Sequence, residues 1–142
     1  MTTDRMARSF LRQAVYRLEL VERAIADRQY ATAVRWSQEA VELGLKAALR
    51  AAGVEPPRWH DVGAVLIANA ARLPASLQEI ADRLVRISAE LRQDREPAFY
   101  GDEAGDRTPD DLYGEADARR AHADAAFAVG HVRDALDRGE PS

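Results

Sequence analysis

The sequence contains no cysteine, which excludes a disulfide framework, a Cys-ligated zinc or iron–sulfur site and a thiol nucleophile. Aromatic residues make up only 6% of the 142 positions, and four Ile and ten Val are too few to fill the strands of a sheet. No stretch approaches the roughly 18 uncharged apolar residues that a membrane span requires. The opening segment MTTDRMARSF has no apolar run followed by a small-residue cleavage site, so the expectation is a cytoplasmic chain without a secretory signal. Lysine occurs once against 19 arginines, and no Lys/Arg block exists. The electrostatic footprint of a sequence-tolerant duplex binder is therefore missing. GxGxxG, GxxxxGK[ST], HExxH and GxSxG are all absent, which removes the familiar nucleotide-fold and hydrolase motifs.

What is present points to helices. There are 28 alanines, the residue with the lowest intrinsic cost in a helix, and arginine and glutamate follow closely. The length suits one domain, read as residues 1–138 with a flexible tail at 139–142. The net charge of −4 hides an asymmetry, +3 over residues 1–60 and −7 over 61–142.

Met6, Phe10, Ala14, Leu18, Val21 and Ile25 recur at three- and four-residue steps, predicting a helix over 3–27 with Thr3 as its N-cap. A second helix spans 30–52 and stops at Gly53. One of its faces carries only small residues: Ala33, Ser37, Ala40, Gly44 and Ala47. Glycine inside a helix costs about 1 kcal/mol relative to Ala, so Gly44 implies close approach of another backbone, from the same chain or a partner. After Pro56-Pro57, Asp61 caps a short helix of about ten residues, and Pro74 opens a longer one that runs to Arg92–Arg95. Residues 96–113, acidic and without apolar period, read as a long loop, and loops of that length are either functional or mobile. The last helix covers 115–137 with Ala118, Ala121, Ala125, Val129, Val132 and Leu136 as its inner stripe. The expected fold is all-α, an up-down four-helix bundle with one additional short helix.

Few residues offer chemistry. His122 and His131 stand nine apart on one helix, about 13 Å at 1.5 Å per residue, too far to share a metal. His60 sits in the turn before a helix, where hydrogen bonding or capping is its expected role. The acidic loop lacks the ligand spacing of a calcium loop, so no metal and no cofactor are expected. Glu42 and Lys46 form a favoured i,i+4 pair. Arg92, Arg95, Phe99 and Tyr100 are the most pointed cluster, because a guanidinium grips phosphate bidentately and a phenol can stack on a base or donate a proton. Against this stands a plainer role, in which Phe99 and Tyr100 pin the loop to the bundle.

The second helix, with Gln38, Glu42 and Lys46 in QEAVELGLKAAL, resembles the HEPN-domain pattern Q-x-A-x-E-x-x-L-K-A-x-L. Gly53 and then His60 before an apolar helix follow at the expected distance. The resemblance is to prokaryotic members of the kind paired with minimal nucleotidyltransferases, often as toxin–antitoxin modules. It implies a helical bundle that forms a homodimer. It also implies that active members are metal-independent ribonucleases using an R-x4–6-H motif at the dimer interface, and that in some pairs the partner attaches adenylate to a nearby Tyr. No Arg lies five to seven residues before any of the three His here; Arg95-x4-Tyr100 stands at the expected place. A phenol titrates near about 10, which makes it a poor general base at neutral pH. The resemblance thus implies a module that binds nucleotide, RNA or a nucleotidyltransferase through Arg95 and Tyr100, helped by Arg92 and Lys46, without the usual ribonuclease activity. The alternative is a ribonuclease in which Arg95 stabilises the phosphorane charge.

Overall fold

The computed structural model describes residues 2–58 and 61–139, the side chains of residues 2–4 excepted. His60, and residues 140–142 of the tail expected at 139–142, lie outside the described residues. Four long helices form the body: α1 (Thr2–Ala26), α2 (Tyr30–Ala51), α5 (Ala81–Tyr100) and α7 (Glu115–Asp137). Three short ones, α3 (Val62–Ala68), α4 (Ala75–Gln78) and α6 (Pro109–Leu112), lie in the connections, and the described residues contain no strand.

The side-chain pairings fix the directions of the helices. Arg8, early in α1, bonds Asp137 at the end of α7 at 2.7 Å. Tyr30 and Glu115, at the starts of α2 and α7, meet at 3.3 Å. Arg35 of α2 lies over Phe99 near the end of α5. Hence α1 and α5 run one way and α2 and α7 the other, the alternation of an up-down bundle.

The parallel pair α2 and α7 touches directly because both faces are small. Ala33, Ala40 and Ala47 of α2 and Ala118, Ala121, Ala125 and Ala128 of α7 are buried to 5% exposure or less. A Cβ added at Gly44 would come within 3.2 Å of Val129 Cγ2. The small-residue strip of α2 is therefore packed inside this chain, which settles which of the two backbones approaches it. Leu45, Leu49, Leu66, Leu73, Leu77 and Leu84 fill the remaining core without exposed surface.

Several boundaries differ from expectation. Helix α1 starts at Thr2, so Thr3 lies within it rather than at the cap. Its buried line is Ala7, Leu11, Ala14, Val21 and Ala24, while Met6 stays 36% exposed; alanines beside larger residues move the face round the helix. The short helix after Asp61 stops at Ala68, where Asn69 leaves the helical region with φ −114° and ψ 19° and its side-chain amide donates to the Val65 carbonyl at 2.9 Å. Asp61 does cap it, accepting from the Gly63 N–H at 2.9 Å. The helix expected from Pro74 is broken at Glu79–Ile80, where Ile80 has φ −112° and non-helical ψ. Gly53 ends α2 with φ +79°, as its place in the sequence required.

The largest correction concerns 96–113, which is not a loop without secondary structure. Helix α5 continues past Pro97 to Tyr100, Asp102 and Arg107 pair backbone to backbone at 2.8 and 2.9 Å, and Thr108 and Asp111 form a capping box on α6. Local hydrogen bonds organise the segment, so it leaves no apolar period to read.

Gly44→Leu should destabilise the fold by about 1–3 kcal/mol through overpacking, whereas Gly44→Ala, offset by helix propensity, should stay within about 1 kcal/mol. Urea denaturation of both variants checks this; an unchanged midpoint for Gly44→Leu would contradict the packing.

Candidate functional site

Because α5 runs on to Tyr100, Arg92, Arg95 and Phe99 fall at steps of three and four along one continuous helix, a single face. Pro97 can sit there because its missing N–H costs only the bond to the Gln93 carbonyl, close to the end of the helix. Gly101 then stops the helix with φ +74° and ψ −158°, a region only glycine enters freely. Any Cβ at Gly101 would overlap the Arg107 carbonyl.

The opposing wall comes from α2. Arg35, Gln38 and Glu39 face Arg92, Gln93, Arg95, Glu96, Pro97, Phe99 and Tyr100 across a cavity of about 780 Å³. Three guanidiniums meet two carboxylates in this wall, and Glu39 is engaged from α1 by Arg17 at 3.3 Å. Arg92 lies 3.7 Å from Asp61, the carboxylate that caps α3. The Arg35 guanidinium carbon stands 4.6 Å over the Phe99 ring, and Phe99 meets Tyr100 edge to face at 4.5 Å between centroids. Phe99 and Tyr100 are 52% and 64% exposed, so they are not anchors sunk into the core. Two polar atoms of the wall, Arg35 Nε and Gln38 Oε1, are buried without a hydrogen-bond partner.

Of the residues singled out in the sequence, Arg92, Arg95 and Tyr100 come together here, and Gln38 of the helix-two motif joins them. Lys46 does not line the cavity; it lies two turns further along α2, 4.0 Å from Glu42. His122 and His131 sit on α7, near Glu22 and on the Phe127 carbonyl respectively. Arg35 was not foreseen. Its only signal is a position three residues before Gln38, which puts both on one helix face.

Beside the cavity, Tyr113 ties the connection between α6 and α7 to α5 by donating to Asp94 at 2.9 Å. Burial, and then the Asp94 carboxylate, raise the Tyr113 phenol well above its ordinary value. In the turn itself, hydrogen bonds from Thr108 hold the Asp111 carboxyl below the usual range. The Arg119 guanidinium does the same for Glu115 at the start of α7. Among the described residues no cluster of His, Asp or Glu is arranged to hold a metal, and no helix is long and apolar enough to cross a membrane.

A bundle of this topology, with its arginine-rich cavity between α2 and α5, defines a class of helical domains rather than one activity. The family model of the HEPN domain matches residues 7–135, and the chain belongs to that family. Neither a search of curated proteins nor one of solved structures returned a significant match.

Gly101→Ala should cost at least about 1–3 kcal/mol, since it strains the backbone and pushes on the 102–107 turn; thermal or urea melting checks it. Tyr113→Phe should cost roughly 1 kcal/mol at neutral pH. The folded state holds the phenolic proton more tightly than the unfolded chain, so this stabilisation is complete below about pH 10 and fades as pH rises beyond it. Stability measured from about pH 8 to 11 should therefore decline less steeply in Tyr113→Phe than in wild type.

Proposed function

We propose that the cavity between α2 and α5 binds a phosphate-bearing ligand, a nucleotide or a short single-stranded RNA, and that the protein acts as a binding module. The observation that carries this reading is the placement of Arg35, Arg92 and Arg95 with two exposed aromatic rings around one space of about 780 Å³. Guanidiniums grip phosphate oxygens bidentately, and an exposed ring provides a surface on which a base stacks. The volume falls in the range that small-molecule sites occupy.

Cleavage by the usual family chemistry does not follow from these residues. Arg95 and Tyr100 ride the same helix, and neither His122 nor His131 lines the cavity. The proposed role is thus to hold the ligand, with Arg92 and Arg95 on phosphate and Tyr100 at the rim. A second copy of the chain, or a minimal nucleotidyltransferase of the kind some family members are paired with, fits this reading as protein partner. The α2 strip is not the dimer surface in it, because α7 already covers that strip.

Fluorescence anisotropy with a labelled single-stranded RNA, beside incubation of the same RNA in EDTA, tests the proposal. Arg92→Ala and Arg95→Ala should each weaken binding several-fold and lower the salt dependence by about 0.7 in log–log slope per lost phosphate contact. The RNA should stay intact. Unchanged affinity in both variants would remove the binding role, and cleavage lost in Arg95→Ala would establish the ribonuclease alternative instead.

A further inference from the structure

Two polar atoms in the wall of this cavity have no partner, and they are of opposite kind. Arg35 Nε carries a hydrogen to donate, and Gln38 Oε1 can only accept. Both belong to residues that line the cavity, three apart on α2 and so on one face. Gln38 is 6% exposed, so water does not readily satisfy its side chain. A buried donor or acceptor left unmade is costly, and native proteins pair the great majority of them. Here a buried donor and a buried acceptor lack partners on residues one helical turn apart, near Phe99, a residue 52% exposed whose ring lies under the same Arg35 guanidinium.

We propose that Arg35 and Gln38 read the edge of a nucleobase that carries an exocyclic amine. This rests on the reading of the cavity as a phosphate-ligand site and names what lies beyond the phosphate. A flat ligand satisfies both atoms at once if it offers an acceptor beside a donor. An amino-bearing base does so: its amine donates to Gln38 Oε1, and the neighbouring ring nitrogen accepts from Arg35 Nε–H. Both atoms are buried, so a base engages them only once the two side chains turn toward the cavity that their residues line. Phe99 and Tyr100 supply the surface for its face, while Arg92 and Arg95 hold the phosphate. In this division of work the α5 arginines give affinity without regard to the base, and the two α2 residues give the choice between bases.

Calorimetric titration of the full chain with AMP, IMP, CMP, UMP and ribose 5-phosphate tests it. Each amino base differs from its deaminated counterpart at both contacts: the amine donor becomes a carbonyl acceptor and the neighbouring ring nitrogen becomes an N–H donor, so a base held in the same register by its phosphate sets acceptor against Gln38 Oε1 and donor against Arg35 Nε–H. The expected result is a preference of about tenfold for the amino member of at least one pair, one hydrogen bond's worth. Gln38→Met should bring that affinity down to the level of the deaminated nucleotide. Equal affinities within both pairs in the wild type would overturn the base-reading role while the phosphate site stands, and this comparison needs no variant to fold. A preference that survives in Gln38→Met would overturn it as well, with a buried water then the partner of these atoms. Failure of ribose 5-phosphate and of every nucleotide to bind would instead overturn the phosphate-site reading on which the inference rests.

Discussion

Gly44 lets α2 approach α7 until a Cβ would stand 3.2 Å from Val129 Cγ2, and alanines on both helices extend that contact along their length. In a regular four-helix bundle, parallel helices sit on a diagonal and are separated by the side chains of the core. Small residues draw this diagonal pair together. The larger core residues, among them Leu45, Leu49, Leu84 and Val132, then fill the space to either side of the contact. Alanine supplies little apolar area per residue, so the gain comes from the number of close contacts rather than from large buried chains. Helix α2 sits at the centre of this arrangement and packs against α1, α5 and α7. What it presents on its remaining surface decides what the protein can hold.

That surface meets the C-terminal turns of α5. The continuation of α5 through Pro97 is the step that makes a site, because it converts a string of residues into a rigid rod facing α2. The turn after Gly101 and the Tyr113–Asp94 bond then fasten the segment beyond the rod back against it. A cavity wall built on helices is positioned more closely than one built on a mobile loop, which suits recognition of a small ligand. The wall carries three guanidiniums against two carboxylates, one of which, Glu39, is engaged by Arg17 of α1.

Much of the architecture was legible in the sequence because it depends on local rules. Alanine content and three-four spacing gave the helices, Gly53 and Asp61 marked their ends, and the small-residue strip announced a close helix–helix approach. The segment 96–113 carries no such signal, for an equally physical reason. It is held by side-chain caps, a two-residue bridge and one phenol–carboxylate bond, none of which produces a period. The broken helix at Glu79–Ile80 and the early end of α3 at Asn69 likewise turn on single hydrogen bonds and torsions.

The sequence by itself determined the class of fold and the family, and it singled out Arg92, Arg95 and Tyr100 as neighbours along the chain; only the structure put all three on one helix. Only the tertiary structure decided that α7 covers the small strip, that Lys46 stands apart from the cluster, and that Arg35 and Gln38 complete its far wall. Those outcomes depend on which helix faces which across the bundle. A one-residue rotation of α2 would have moved each of them, and the linear order of side chains does not fix that rotation.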